Sequence, residues 1–243
     1  MNKEEKDLNK MRLNKAVALS GISSRRGADD LIKAGRVKVN GRVITDLSFK
    51  VSSDDEIMVD NKDASSKELK YILLNKEKGY ITTVKDELNR KTIYSLLPEK
   101  YKNLKPVGRL DRDTEGLLIL SNDGDFINRV IHPKNKVSKT YMVCLDGDFN
   151  TKVINYIKSK LKSGIQLDGA LRKADSIKEI ASSGSYKAKQ CIFEIVIHEG
   201  INRQVRRMFQ AVGYTVSSLK RTKIGSISLS SISREKYKEI EKN

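Results

Sequence analysis

The densest run of chemically useful side chains is Gly108-Arg109-Leu110-Asp111-Arg112-Asp113-Thr114-Glu115-Gly116-Leu117-Leu118. A polar, glycine-bounded loop runs here straight into an apolar stretch, which is how a side chain is held rigidly at the edge of a sheet. Three chemistries fit the pattern. Asp111, Asp113, Glu115 and Gly116 imitate positions 1, 3, 5 and 6 of a calcium loop, although position 12 would be Asn122 instead of a bidentate Glu and no helices are expected on either side. The second is an ordinary charged turn, and the third a positioned catalytic carboxylate. A further segment, residues 199–213, carries Val205, Met208, Phe209 and Val212 at helical spacing, with Arg203, Arg206 and Arg207 on its other faces and Gly213 at its end. Alone, it reads as a basic amphipathic helix facing RNA or solvent. Lys139-Thr140-Tyr141 leads into an apolar run, where a lone Tyr is ordinarily half-buried packing.

Two groups of elements must position these side chains. In residues 12–60, Leu13, Ala16 and Val17 mark one helical face, ending near Ser20-Gly21. Ser23 or Ser24 can cap a second helix bearing Ala28, Leu31 and Ile32, and Gly35 stands where a left-handed helix end belongs. The period then switches to two through Val37 and Val39, Asn40-Gly41 signals a tight hairpin, and a strand is expected over 56–60. Small polar residues make 63–69 a linker between a domain at 10–62 and another at 70–243. The second domain should hold strands at 71–74, 80–84, 117–120, 141–145 and 190–197 and a helix over 151–161, without regular strand–helix alternation. The expected class is α+β: a small helix–hairpin domain, then a mixed, largely antiparallel sheet with flanking helices.

Composition narrows the function. The 243 residues carry 48 Lys and Arg against 31 Asp and Glu, a formal charge of +17. Nine basic residues fall in 10–42 against Asp29 and Asp30, and six in 199–223 against Glu199. Clustering on short structured segments favours phosphate binding over a merely solvated lysine-rich surface. Cys144 and Cys191 are too few for a disulfide framework, and with His132 and His198 they make no metal-ligand spacing. The N-terminus lacks the apolar core of a signal peptide, and no apolar run approaches the ~20 residues that span a bilayer. These features point to a cytoplasmic protein, away from membranes, that meets nucleic acid.

Arg12-Leu13-Asn14-Lys15, Ser24-Arg25-Arg26 and Gly35-Arg36-Val37-Lys38-Val39-Asn40-Gly41 resemble the RNA-binding domain named after ribosomal protein S-four. The resemblance implies a helix pair presenting Arg12, Lys15, Arg25, Arg26, Arg36 and Lys38 to structured RNA. The Gly-Arg-Leu-Asp block, Lys139-Thr140-Tyr141, the 199–208 segment, Asn75-Lys76-Glu77-Lys78-Gly79 and Leu219-Lys220-Arg221-Thr222-Lys223-Ile224-Gly225 together resemble the pseudouridine synthases of ribosomal RNA, the RsuA/RluB group. Glu77 departs from the proline usual in that turn.

What the resemblance implies is an isomerase that needs no cofactor and no metal. Asp111 becomes the catalytic aspartate, as nucleophile or base, Arg206 its paired arginine and Tyr141 the residue stacked on the target base. Arg109, Lys139, Arg203 and Arg207 become RNA contacts, and Asp113 a loop residue. The implied partner is ribosomal RNA, the large-subunit 23S species ahead of 16S, met by a monomer. A non-catalytic RNA-binding or ribosome-assembly factor is the competing reading, against which Asp111, Tyr141 and Arg206 stand together.

Overall fold

The computed structural model describes residues 10–64, 68–84, 86–182, 188–232 and 235–241. Residues 65–67 of the expected linker and the N-terminal residues 1–9 lie outside that set. The chain divides into two compact units, residues 1–70 with 122–124 and residues 71–121 with 125–243.

The first unit pairs two helices with two small sheets. Strand β1 (Met11–Arg12) leads into α1 (Leu13–Leu19), and α2 (Arg25–Lys33) follows. Ser24 is the residue that caps α2, its hydroxyl accepting from the Gly27 amide at 3.1 Å. Gly35, at φ +69°, closes the helix end in the left-handed state that costs glycine least. Strands β2 (Val37–Val39) and β3 (Arg42–Val43) turn about Asn40 and Gly41, both at positive φ, as the sequence pattern requires. Strand β4 (Lys50–Val51) pairs with β1, while β5 (Ile57–Val59) and β6 (Lys62–Asp63) complete a sheet ordered β3-β2-β5-β6. Leu13, Val17, Ala28, Ile32, Val37 and Val59 fill its core. The ordered chain runs past residue 62, beyond which the sequence leads one to expect a linker. Asp60 and Asn61 both take positive φ and reverse the chain, so Asp63 pairs with Met58 and Ala64 is buried.

The second unit is built on a sheet of β7 (Tyr71–Lys76), β8 (Lys105–Pro106), β9 (Glu115–Ser121), β10 (Lys139–Phe149), β13 (Ser176–Ser182), β14 (Ala188–Ile197), β15 (Val216–Ile224), β16 (Ile227–Ser228) and β17 (Tyr237–Ile240). The main path is β13-β14-β10-β15-β9-β7-β17, with β8 on β9 and β16 on β15. Among the described residues only β15 and β9 run parallel, so the sheet is mixed and largely antiparallel. Strands β11 (Ile165–Leu167) and β12 (Ala170–Arg172) form a separate hairpin. Helices α3 (Gly124–Ile131), α4 (Thr151–Ser163) and α5 (Gln204–Ala211) flank the sheet. The Asn150 side chain caps α4, whose Ile154, Ile157 and Leu161 turn inward and which runs two residues past the expected end at 161. Both faces of the central strands are covered, which is why β9 reads as an unbroken apolar run.

Residues 80–84 are not a strand. Ile81 makes an isolated bridge to Thr92, and the buried Thr82 hydroxyl donates to the Leu110 carbonyl at 2.8 Å. The segment is tied to the loop ahead of β9 instead of to a ladder.

Candidate active site

One rung of the sheet prepares the site. Register places Tyr141 of β10 opposite Arg221 of β15, Arg221 opposite Gly116 of β9, and Gly116 opposite Lys76 of β7. Directly paired residues share a face of the sheet, so the side chains of Tyr141, Arg221 and Lys76 line up across four strands. Gly116 supplies the close approach: at φ +102°, a Cβ there would stand 2.3 Å from the Arg221 carbonyl oxygen. Only glycine fits.

The loop from Gly108 to Thr114 folds back over this rung. The wholly buried Lys76 holds it, donating from Nζ to the carbonyls of Thr114 (2.7 Å), Asp111 (3.0 Å) and Glu77 (3.2 Å). Burial pushes the Lys76 ammonium down to about 8, against the pull of Asp111, Asp113 and Glu115. The Thr114 amide donates to the Asp111 carbonyl at 3.1 Å, closing a tight turn that leaves the Asp111 side chain one-third exposed.

Asp111 and Tyr141 both line a cavity of about 570 Å³ whose wall also includes Lys139, Arg203, Arg221 and Glu199. Tyr141 is almost fully buried against the core and keeps one edge on the cavity. Arg221 is buried, with Nε donating to the Leu117 carbonyl at 2.8 Å and one terminal nitrogen buried without a hydrogen-bond partner among the described residues. Lys139 Nζ donates to the carbonyls of Val137 and His198, and burial beside Arg221 lowers its pKa. The cavity therefore sets several cations around the carboxylates of Asp111 and Glu199 on a largely apolar wall, a lining suited to an anionic ligand with a flat ring.

The arginines of the 199–213 segment do not all go where the sequence suggests. Arg206 meets Asp113, not Asp111: Nε stands 3.2 Å from Asp113 Oδ2, one terminal nitrogen donates to the Asp113 carbonyl and the other to the Val216 carbonyl, both at 2.9 Å. The reason is geometric, since Asp111 points into the cavity while Asp113 turns toward α5. Arg203, in the left-handed conformation at φ +51° just ahead of α5, makes a forked pair with Asp113 at 3.0 and 3.1 Å and lies 4.0 Å from Asp111 Oδ2. Arg207 pairs bidentately with Asp168 of the β11–β12 turn. Arg109 is exposed at the cavity wall. In the first unit Arg12, Arg25, Arg26, Arg36 and Lys38 are exposed and Lys15 is half-buried, with Arg36 Nε held by Asp60 at 2.8 Å and Lys38 reaching Asn61 at 3.5 Å.

Residue patterns alone draw attention away from Lys76, Asp113 and Arg221 as parts of the site. Lys76 ends an apolar strand and Arg221 interrupts another, and a lone cation inside a buried run is the signal that marks both.

A family model described as RNA pseudouridylate synthase matches residues 70–211, and one for the S4 domain matches residues 11–57. A Bacillus subtilis protein named ribosomal large subunit pseudouridine synthase B is 40% identical over 218 residues, 90% of this chain and 87% of that protein. The chain belongs to the RNA pseudouridylate synthase family. A second relative of this synthase, from Aquifex aeolicus and named an uncharacterized RNA pseudouridine synthase, is 39% identical across 95% of this chain and 90% of its own length. A crystal structure of a pseudouridylate synthase superposes with a TM-score of 0.62 at 31% identity, covering 95% of this chain and 96% of the other. This synthase is an isomerase with an N-terminal S4 domain. Among the described residues no helix is long and apolar enough to cross a membrane.

Proposed function

We propose that this synthase converts one specific uridine of ribosomal RNA to pseudouridine, in the 23S RNA of the large subunit, with Asp111 as the reacting carboxylate. The isomerisation breaks the bond from ribose C1′ to N1 of the base, turns the base, and joins C1′ to C5; the C5 proton leaves and N1 gains one. A carboxylate fixed in place can act in this sequence as nucleophile or as base. The observation that carries the reading is Asp111 opening, beside Tyr141, onto a cavity of about 570 Å³ that Arg109, Lys139, Arg203 and Arg221 also line. Tyr141 offers its ring to the uracil. Arg203, Arg109 and Lys139 meet the backbone around it, while Arg206 and Arg207 act from behind by holding their segment. The uridine reaches the cavity only after leaving its stack, so base flipping is part of the mechanism. The first unit, from residue 10 through the buried Ala64, serves as the RNA-capturing domain ahead of the catalytic unit at 70–243. The large-subunit choice is supported by the name of the Bacillus subtilis relative. On this reading the enzyme works as a monomer in the cytoplasm.

The test is to incubate the purified protein with unmodified 23S, 16S and transfer RNA transcripts and map pseudouridine chemically. One modified position in 23S is expected, with Asp111→Asn slower by at least about 10²-fold. Modification of 16S alone would move the enzyme to the small-subunit RNA, and modification of transfer RNA alone would overturn the ribosomal substrate. Full activity in Asp111→Asn would overturn the assigned residue.

A further inference from the structure

We infer that Asp113 is a positioning residue for the isomerisation, its carboxylate fastening Arg203 and Arg206 and thereby fixing the Asp111 turn against the start of α5. The inference rests on the reading of Asp111 as the reacting carboxylate. Three observations carry it.

First, one side chain and its own carbonyl receive both arginines: Arg203 forks onto Oδ1 and Oδ2, and Arg206 reaches Oδ2 and the backbone oxygen. Second, Arg206 is nearly buried, with 12% of its side chain exposed, and it also grips the Val216 carbonyl at the start of β15. Its guanidinium therefore joins the Asp111 turn, α5 and the central sheet through one rigid plane. Third, Arg203 adopts a backbone conformation uncommon for a residue with a side chain. From there its side chain lines the cavity and its guanidinium stands 4.0 Å from Asp111.

The electrostatics agree with a standing charge at Asp113. Burial alone would raise its pKa; the hydrogen bonds from Arg203 and the charges of Arg206 and Arg203 outweigh it and hold the carboxyl below its ordinary range. Without that charge, Arg203 has Asp111 as its adjacent carboxylate and Arg206 loses its counter-ion while still nearly buried. The expected consequence is a carboxylate that moves, not a substrate that fails to bind.

The test compares wild type with Asp113→Ala, Asp113→Asn and Asp113→Glu by two readouts. Hydrogen exchange in the free protein should accelerate about tenfold in Asp113→Ala over the amides of residues 111–114 and 204–207. Under steady-state conditions on the RNA that wild type modifies, kcat should fall about 10- to 100-fold with KM changed less than about twofold, and Asp113→Glu should recover most of the loss. Asp113→Asn, which keeps an acceptor and the shape, carries the same comparison at smaller size should the alanine variant not fold. Unchanged exchange overturns the inference whatever the activity, as does an unchanged kcat or a loss confined to KM. Wild-type protein inactive on every ribosomal transcript would sink the proposed substrate instead, and the exchange comparison would still decide whether Asp113 fastens the turn.

Discussion

Asp111 and Asp113 are two residues apart, of one type, and do different things because of what each faces. Asp111 faces a cavity; Asp113 faces two arginines. Lys76 shows the same rule for a cation. Its ammonium group is wholly enclosed and bound by three carbonyls, and the cost of enclosing it appears as a pKa of about 8 in place of 10.5. The sign of the consequence follows from which state holds the proton. Below pH 8 both folded and unfolded chains carry it, and the fold bears the burial cost. Between about 8 and 10.5 the folded protein has released the proton while the unfolded chain still binds it, so stability at this residue rises with pH; it is fully present above 10.5 and lost as pH falls through 8. Denaturant unfolding of wild type and Lys76→Met at pH 7 and pH 10 isolates this contribution from the other alkaline titrations. The stability of wild type relative to the variant should rise by on the order of 2–3 kcal/mol between the two pH values. A difference that stayed constant would mean that Lys76 holds its proton throughout, stabilised by its three acceptors.

At the level of elements, the question is which of two neighbouring arginines on α5 holds the structure together. Arg206 lies against the sheet and joins β15 to the Asp111 turn through the carbonyls of Val216 and Asp113. Arg207 faces outward and pairs with Asp168, whose side chain is 59% exposed. Arg206→Ala should lower stability by about 2 kcal/mol, the loss of hydrogen bonds from a charged donor with a discount for the half-exposed Asp113. Arg207→Ala should cost no more than about 1 kcal/mol. Denaturant midpoints for the two variants decide the matter, and equal midpoints would remove the distinction. This pair also marks how far the sequence is legible. Helical spacing places Val205, Met208, Phe209 and Val212 inside, since burial periodicity is a property of one element. The α+β class, the Asn40-Gly41 hairpin and a serine cap at Ser23 or Ser24 are legible for the same reason, each being written in residues near one another in the chain; the structure decides for Ser24. The partner of Arg206 is not, because choosing Asp113 over Asp111 depends on the orientation of a loop more than 90 residues away. Nor is the rung from Lys76 to Tyr141, which exists only through the register of four strands. Residues 80–84 have the composition of a strand, and Thr82 bonds elsewhere.

For the whole molecule, the 48 Lys and Arg side chains have to be divided between RNA capture and internal pairing. The structure already gives several of them partners within the protein: Arg203, Arg206 and Arg207 to carboxylates, Arg36 to Asp60, Lys76 and Arg221 to carbonyls. The exposed Arg25 and Arg26 stand in the first turn of the capped helix α2, and neither contributes to the buried core of the S4 unit. Their removal should therefore change RNA affinity without changing the fold or the chemical step. Every phosphate that a basic side chain ceases to neutralise flattens the slope of log affinity against log salt by about 0.7–0.9, so the double variant Arg25→Gln/Arg26→Gln should show a slope shallower by about 1.5. Its stability should match wild type within about 0.5 kcal/mol, and its turnover at saturating RNA should be unaltered. Arg36→Gln, by contrast, breaks an exposed ion pair and leaves Asp60 to repel the RNA backbone; because Arg36 is already neutralised by Asp60, its effect on the slope is expected to be smaller. The measurement is a salt titration of binding to a labelled ribosomal RNA fragment for the three proteins. A slope unchanged in the double variant would show that α2 does not meet phosphate, and would leave the S4 unit with a role other than substrate capture.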